Sequence, residues 1–177
     1  MPGRTAGMVM MTIFGAIWWM AGSGTMDMPC RTAALIAGAA VTVALLVYAR
    51  RQNASATKEP PPGVDGAAVM RQFNLVGMAE GLAILVVVIA CVVSGYPQLI
   101  AALVCLVVGV HFLPLAGVFH VPLYRITGGV LVVVAVVTLV AGAAGSWSDD
   151  TWLAVPAIAS AIVLWLTAAV LPTSGAE

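Results

Sequence analysis

The chain has 177 residues, of which 62% are hydrophobic and 8% charged, with zero formal net charge and a mean hydropathy of +1.10. Water-soluble domains carry roughly a quarter charged residues, so a soluble globular domain is excluded and lipid is the solvent for most of the chain. The seven Lys and Arg lie in or beside the connections between apolar runs and form no basic patch, which sets aside a nucleic-acid partner.

A spanning helix needs about 20 mostly apolar residues. Six runs qualify: Ala6–Met26, Thr32–Ala49, Phe73–Val93, Pro97–Phe119, Leu123–Ala144 and Thr151–Leu171. The expected fold is all-α, one polytopic bundle over residues 1–177. Short connections make helices 1–2, 3–4 and 5–6 into three hairpins. The first run follows Arg4 and carries the small residues Ala21-Gly22-Ser23, as a signal peptide would. Its length and the bulky Trp18-Trp19-Met20 fit a retained helix better.

In the second run, Ala34 and Gly38 offer a close approach to a neighbouring helix. Residues 50–70 follow as a polar, partly extended linker with Arg50, Arg51, Lys58, Glu59, Asp65 and Pro60-Pro61-Pro62. In the third run, Gly77 and Gly81 form a GxxxG of the same packing type. Gly15, Gly77 and Gly128 each stand early in an odd-numbered helix and hint at a repeated hairpin.

With the N-terminus inside, the cytoplasmic face carries Arg4, Arg50, Arg51, Lys58, Arg71 and Arg125 and the outer face only Arg31, a ratio of six to one. Positive charge marks the cytoplasmic side, so both termini are expected there. Asp27, Asp149 and Asp150 then fall outside with Trp147 and Trp152 as an outer interfacial belt.

Glu80 is the residue that most invites chemistry, since it lies well inside the third run. A carboxyl group at that depth is costly, faces the bundle interior and marks a functional site by default; the bland alternative is a packing hydrogen bond. Held away from water it would keep its proton and could donate it. His111 lies in the fourth run. Counted at 1.5 Å per residue, Glu80 is about 13 Å in from Arg71 and His111 about 13 Å in from His120. Because helices 3 and 4 are antiparallel and joined through Ser94-Gly95-Tyr96, the two groups are expected to meet. Pro114 frees a carbonyl near Val110 and His111, which adds to the case for a polar pocket.

Trp18, Trp19, Phe112 and Trp165 are expected to wall this pocket and to stabilise a cation. Asn74, His120, Tyr124 and Arg125 are expected to cluster at its cytoplasmic mouth, where Arg125 either anchors an anionic group or serves only as a topogenic charge. Cys30, Cys91 and Cys105 have no metal-ligand or redox spacing and read as small apolar fillers. No Walker loop, HExxH, GxSxG or Asp-rich diphosphate motif occurs, so ATP-driven transport by this chain alone, metalloprotease chemistry and diphosphate ionisation are disfavoured. No cofactor or metal is expected.

The block His111-Phe112-Leu113-Pro114-Leu115-Ala116, followed by Phe119, Pro122, Tyr124 and Thr127-Gly128, resembles a stretch of small bacterial integral membrane proteins, which implies a bacterial inner membrane. In size, Ala/Gly/Val-rich composition and buried acid the chain also resembles the small membrane-bound bacterial terpene cyclases. That resemblance implies a carboxylic acid that protonates an epoxide or alkene and starts a carbocation cascade without a metal. The expected function is therefore a cyclase or isomerase of a lipophilic isoprenoid-like substrate, with Glu80 as general acid and His111 as its orienting or relay partner. The alternatives are a small proton-coupled transporter, oligomeric if it transports, using the same pair, and a non-catalytic membrane partner. Membrane lipid and a lipophilic small molecule are the expected partners.

Overall fold

A computed structural model describes residues 2–55, 66–145 and 147–171. Among these the chain is all helical: α1 (Pro2–Ser23), α2 (Met28–Ser55), α3 (Gly66–Val93), a single 3-10 turn (Pro97–Leu99), α4 (Ile100–Val118), α5 (Leu123–Ala144) and α6 (Asp149–Val170). All six long helices are long and apolar enough to cross a membrane. The polar linker expected over 50–70 is shorter, because α2 runs on through Arg50 and Arg51 to Ser55 and α3 begins at Gly66. Lys58, Glu59, Pro60-Pro61-Pro62 and Asp65 lie outside the described residues.

Helix ends follow local chemistry. Gly95, at φ 77°, ends α3: Tyr96 N–H reaches back to the Cys91 carbonyl at 2.9 Å and Gly95 N–H to Val92 at 3.2 Å. This is the left-handed stop for which glycine is suited. The end of α4 uses the same pattern with His120 at φ 54°, Val121 N–H bonding the Ala116 carbonyl at 3.1 Å. His120 is exposed and serves as a helix terminator. Ser148 caps α6 by accepting from the Thr151 N–H at 3.2 Å, and Asp149 and Asp150 in the first turn complement the helix dipole.

The three hairpin pairs are in contact, yet the most extensive packing joins α1 to α6 and α4 to α5. The centre is thus α1, α4, α5 and α6, with α2 laid outside α1 and α3 outside α4. In lipid, where apolar burial gives no drive between helices, such packing depends on close backbone approach and interhelical hydrogen bonds. Gly109 and Gly128 supply the approach between α4 and α5: a methyl on Gly109 would sit 2.9 Å from the Val132 nitrogen and 3.0 Å from the Gly128 carbonyl oxygen. Thr127 and Thr167 hydroxyls meet at 2.8 Å between α5 and α6. Cys105, fully buried on α4, lies 3.1 Å from Ser160 Oγ on α6 and 3.4 Å from the Leu131 carbonyl on α5.

One packing expectation holds and three change. Gly38 and Ala34 do receive a neighbour, since Trp19 lies over Gly38 and donates from its indole nitrogen to the Ala34 carbonyl at 2.7 Å. Gly77 and Gly81, however, are not a packing seam: a methyl at either would meet nothing within 4 Å. The helical repeat is likewise not echoed in packing, as Gly15 faces Trp165, Gly128 faces Gly109 and Gly77 faces open space. Trp152 is buried against Gly142 in the α5–α6 hairpin and stacks edge-on with Trp147 at 5.6 Å; it is not an exposed belt residue.

Candidate functional site: a carboxyl–imidazole pair in an apolar cavity

Glu80 on α3 and His111 on α4 face one another, with Oε2 3.4 Å from Nδ1. Their side chains are mostly shielded, at 22% exposure for Glu80 and 11% for His111. At 3.4 Å the pair is in ion-pair range but too long for a good hydrogen bond, and His111 Nδ1 has no hydrogen-bond partner among the described residues. A neutral ring with its hydrogen on Nε2 presents Nδ1 as an acceptor toward the Glu80 carboxyl. A shift of a few tenths of an ångström would let the neutral acid donate to it.

This arrangement has a spectroscopic consequence. The chain holds two histidines, His111 and His120, so His120→Gln leaves His111 as the sole imidazole signal. Nitrogen NMR on isotope-labelled protein in bilayers should show a neutral ring protonated on Nε2 with Nδ1 accepting. A ring protonated on Nδ1 would contradict donation from the Glu80 acid to His111.

The pair borders a cavity of about 410 Å³ that is lined almost wholly by apolar side chains. This lies within the roughly 300–1,000 Å³ common for small-molecule sites. Its walls come from α1 (Ala6 to Phe14), α3 (Val69 to Glu80) and α4 (Val108 to Phe119), with Tyr124 of α5 and Leu164 of α6 as the floor. Aromatic rings run along it edge to face, Phe73 on Phe119 at 5.7 Å, Phe119 on Tyr124 at 6.3 Å, Tyr124 on Phe112 at 5.7 Å, and Phe112 on His111 at 6.0 Å.

Of the residues expected at the site, Glu80, His111, Phe112 and Tyr124 line this cavity, and Tyr124 is a buried floor residue rather than part of a mouth. Trp18, Trp19 and Trp165 do not line it. Trp165 sits in the slot left by Gly15 and donates to the Thr12 carbonyl at 3.2 Å. Trp19 packs on Trp165 at 5.3 Å between ring centres, and Trp18 packs on the rim of the core. An indole N–H in lipid needs an acceptor, and the acceptors lie across helix seams. Asn74 and Arg125 are exposed and outside the lining, as is His120. Pro114 lies within a continuous α4, is exposed, and borders a shallow surface groove with Val76 and His120 instead of the cavity.

Phe14, Phe73 and Phe119 are the aromatic walls that the tryptophans were expected to provide. Their spacing was a usable signal: Phe73, Gly77 and Glu80 recur at helical intervals, as do Val108, His111, Leu115 and Phe119. No family model, curated protein or solved structure matches this chain.

Proposed function

We propose that the chain is a membrane-embedded, metal-independent cyclase or isomerase acting on a lipophilic isoprenoid-like substrate in a bacterial inner membrane, with both termini cytoplasmic. The observation that carries this reading is the apolar, aromatic-lined cavity with the Glu80–His111 pair in its wall. Apart from Tyr124 the lining offers no other side chain that ionises, so binding would rest on shape and apolar contact while a single acid supplies the chemistry.

In the proposed reaction Glu80 gives its proton to an epoxide oxygen or to a terminal alkene carbon. The C–O bond or π bond breaks and leaves a tertiary carbocation. A neighbouring double bond donates its electron pair to close a ring, and the cation moves one step along the chain. Aromatic faces contribute up to about 2 kcal/mol each to a desolvated cation, a role for Phe73, Phe112, Phe119 and Tyr124. The last cation loses a proton to the Glu80 carboxylate, directly or through His111 Nδ1, so the product is an isomer of the substrate and the acid is restored.

Transport would require access to the pair from each side in turn. On α3 the lining runs from Val69 only as far as Glu80, and on α4 from Phe119 to Val108, one turn past His111. A carrier shows the same one-sided opening in any single state, so formation of a product, and not the cavity, separates the two. The test is incubation of the purified chain in proteoliposomes with a cyclisable isoprenoid epoxide. An isomeric cyclic product is expected, and unchanged substrate with a panel of epoxides and polyenes would overturn the reading.

A further inference from the structure

The five helices around the cavity form a horseshoe. α3 packs on α4, α4 on α5, α5 on α6 and α6 on α1, but among the described residues no comparable packing joins α1 to α3. α2 does not close the gap, since it lies against α1 with a minor contact to α6. Every cavity-lining residue that is also exposed belongs to the two unjoined helices: Ala6, Met10 and Phe14 on α1 and Met70 on α3. Ala6, Met10 and Phe14 are spaced four apart and so form one ridge along α1. Facing them, Gly77 leaves open space where a side chain would stand.

A gap between two apolar helices within the membrane-spanning region faces acyl chains. Water at such a gap would find almost no hydrogen-bond partners on its rims, whereas an apolar chain would lose nothing on moving from lipid into the cavity. The flexible Met10 and Met70 side chains can move aside without leaving a fixed void, and glycine gives the narrowest helix wall available. From these features we infer that the space between α1 and α3 is a lateral portal, through which a single apolar chain of a bilayer amphiphile passes from the membrane into the cavity and reaches Glu80. The inference stands on the cavity and its open side and does not require Glu80 to act as an acid.

The experiment uses the full chain in phosphatidylcholine vesicles containing a minor fraction of phosphatidylcholine with a diazirine near the end of one acyl chain. Photolysis expels nitrogen, and the reactive carbon inserts into the O–H of a nearby carboxylic acid to give an ester. Mass spectrometry should find Glu80 labelled together with the lipid-facing surface of α2. Gly77→Leu, which the open space accommodates without a clash, should lower Glu80 labelling about tenfold by filling the portal while α2 labelling persists. Gly81→Leu, one turn on, also in open space and outside the cavity lining, should leave Glu80 labelling unchanged. Met10→Trp narrows the same gap from α1 and should repeat the loss. Absence of label on Glu80 in the unaltered chain, or equal labelling in Gly77→Leu and Met10→Trp, would overturn the portal. Labelling without any isomerase turnover would leave the portal standing and remove the proposed reaction.

Discussion

Replacing Glu80 with Gln should lower turnover of a cyclisable isoprenoid epoxide by about a hundred- to ten-thousand-fold, the span typical of a general acid. The amide has nearly the shape of the carboxylic acid and can still donate a hydrogen bond toward His111 Nδ1, but it has no proton to release. The fold should be little affected, because Gln keeps the size of the side chain and its contact with His111 across the α3–α4 seam. Rate and stability are therefore expected to separate: turnover collapses while the thermal unfolding midpoint in detergent stays near that of the unaltered chain. A folded variant with full turnover would remove Glu80 as the acid. A variant that loses the fold would make the pair a packing device.

Gly128→Ala should cause a large loss of stability. The added carbon would lie 2.5 Å from the Gly109 carbonyl oxygen and 3.0 Å from Phe112 Cβ, so backbone and a cavity wall would both have to move. Overpacking of this kind costs about 1–3 kcal/mol, and fixed backbone on one side puts the site at the upper end. The adjacent Gly129 provides the control, since a methyl there meets nothing within 4 Å. Gly129→Ala should be neutral, or slightly stabilising by up to about 1 kcal/mol from reduced backbone freedom. Thermal or denaturant unfolding of the two variants in one detergent decides the matter; equal behaviour would mean that α4 and α5 do not cross at Gly109 and Gly128. Because Phe112 is displaced with the seam, Gly128→Ala is also expected to impair turnover.

The number of helices was legible because hydropathy reports the solvent around each segment. Their ends were less so: Arg50 to Ser55 of α2 and Gly66 to Gln72 of α3 are helical beyond the apolar runs, since backbone hydrogen bonding continues where lipid contact stops. The Glu80–His111 contact could be reached by counting depth along two antiparallel neighbours, a problem with one dimension. The cavity walls could not, because they depend on α1 lying along α6 and on α3 standing apart from α1. Nothing in the linear order of helices specifies either fact. Trp19 and Trp165 misled for the same reason, as their indole nitrogens serve the α1–α2 and α1–α6 seams. Gly77 and Gly81 have the spacing of a packing motif but no partner helix, and Gly77 instead thins the wall of the cavity.

The central claim is that Glu80 is a protonated acid reachable from the apolar phase, and dicyclohexylcarbodiimide tests it most directly. This lipophilic reagent adds the O–H of a carboxylic acid across its N=C=N group and yields a stable N-acylurea, whereas a carboxylate in water does not react. In proteoliposomes the expected result is one adduct, on Glu80, with isomerase turnover falling in step with its formation and with the exposed Asp27, Asp149 and Asp150 unmodified. Glu80 left unmodified at saturating reagent, or full turnover retained by chains that carry the adduct, would contradict the claim.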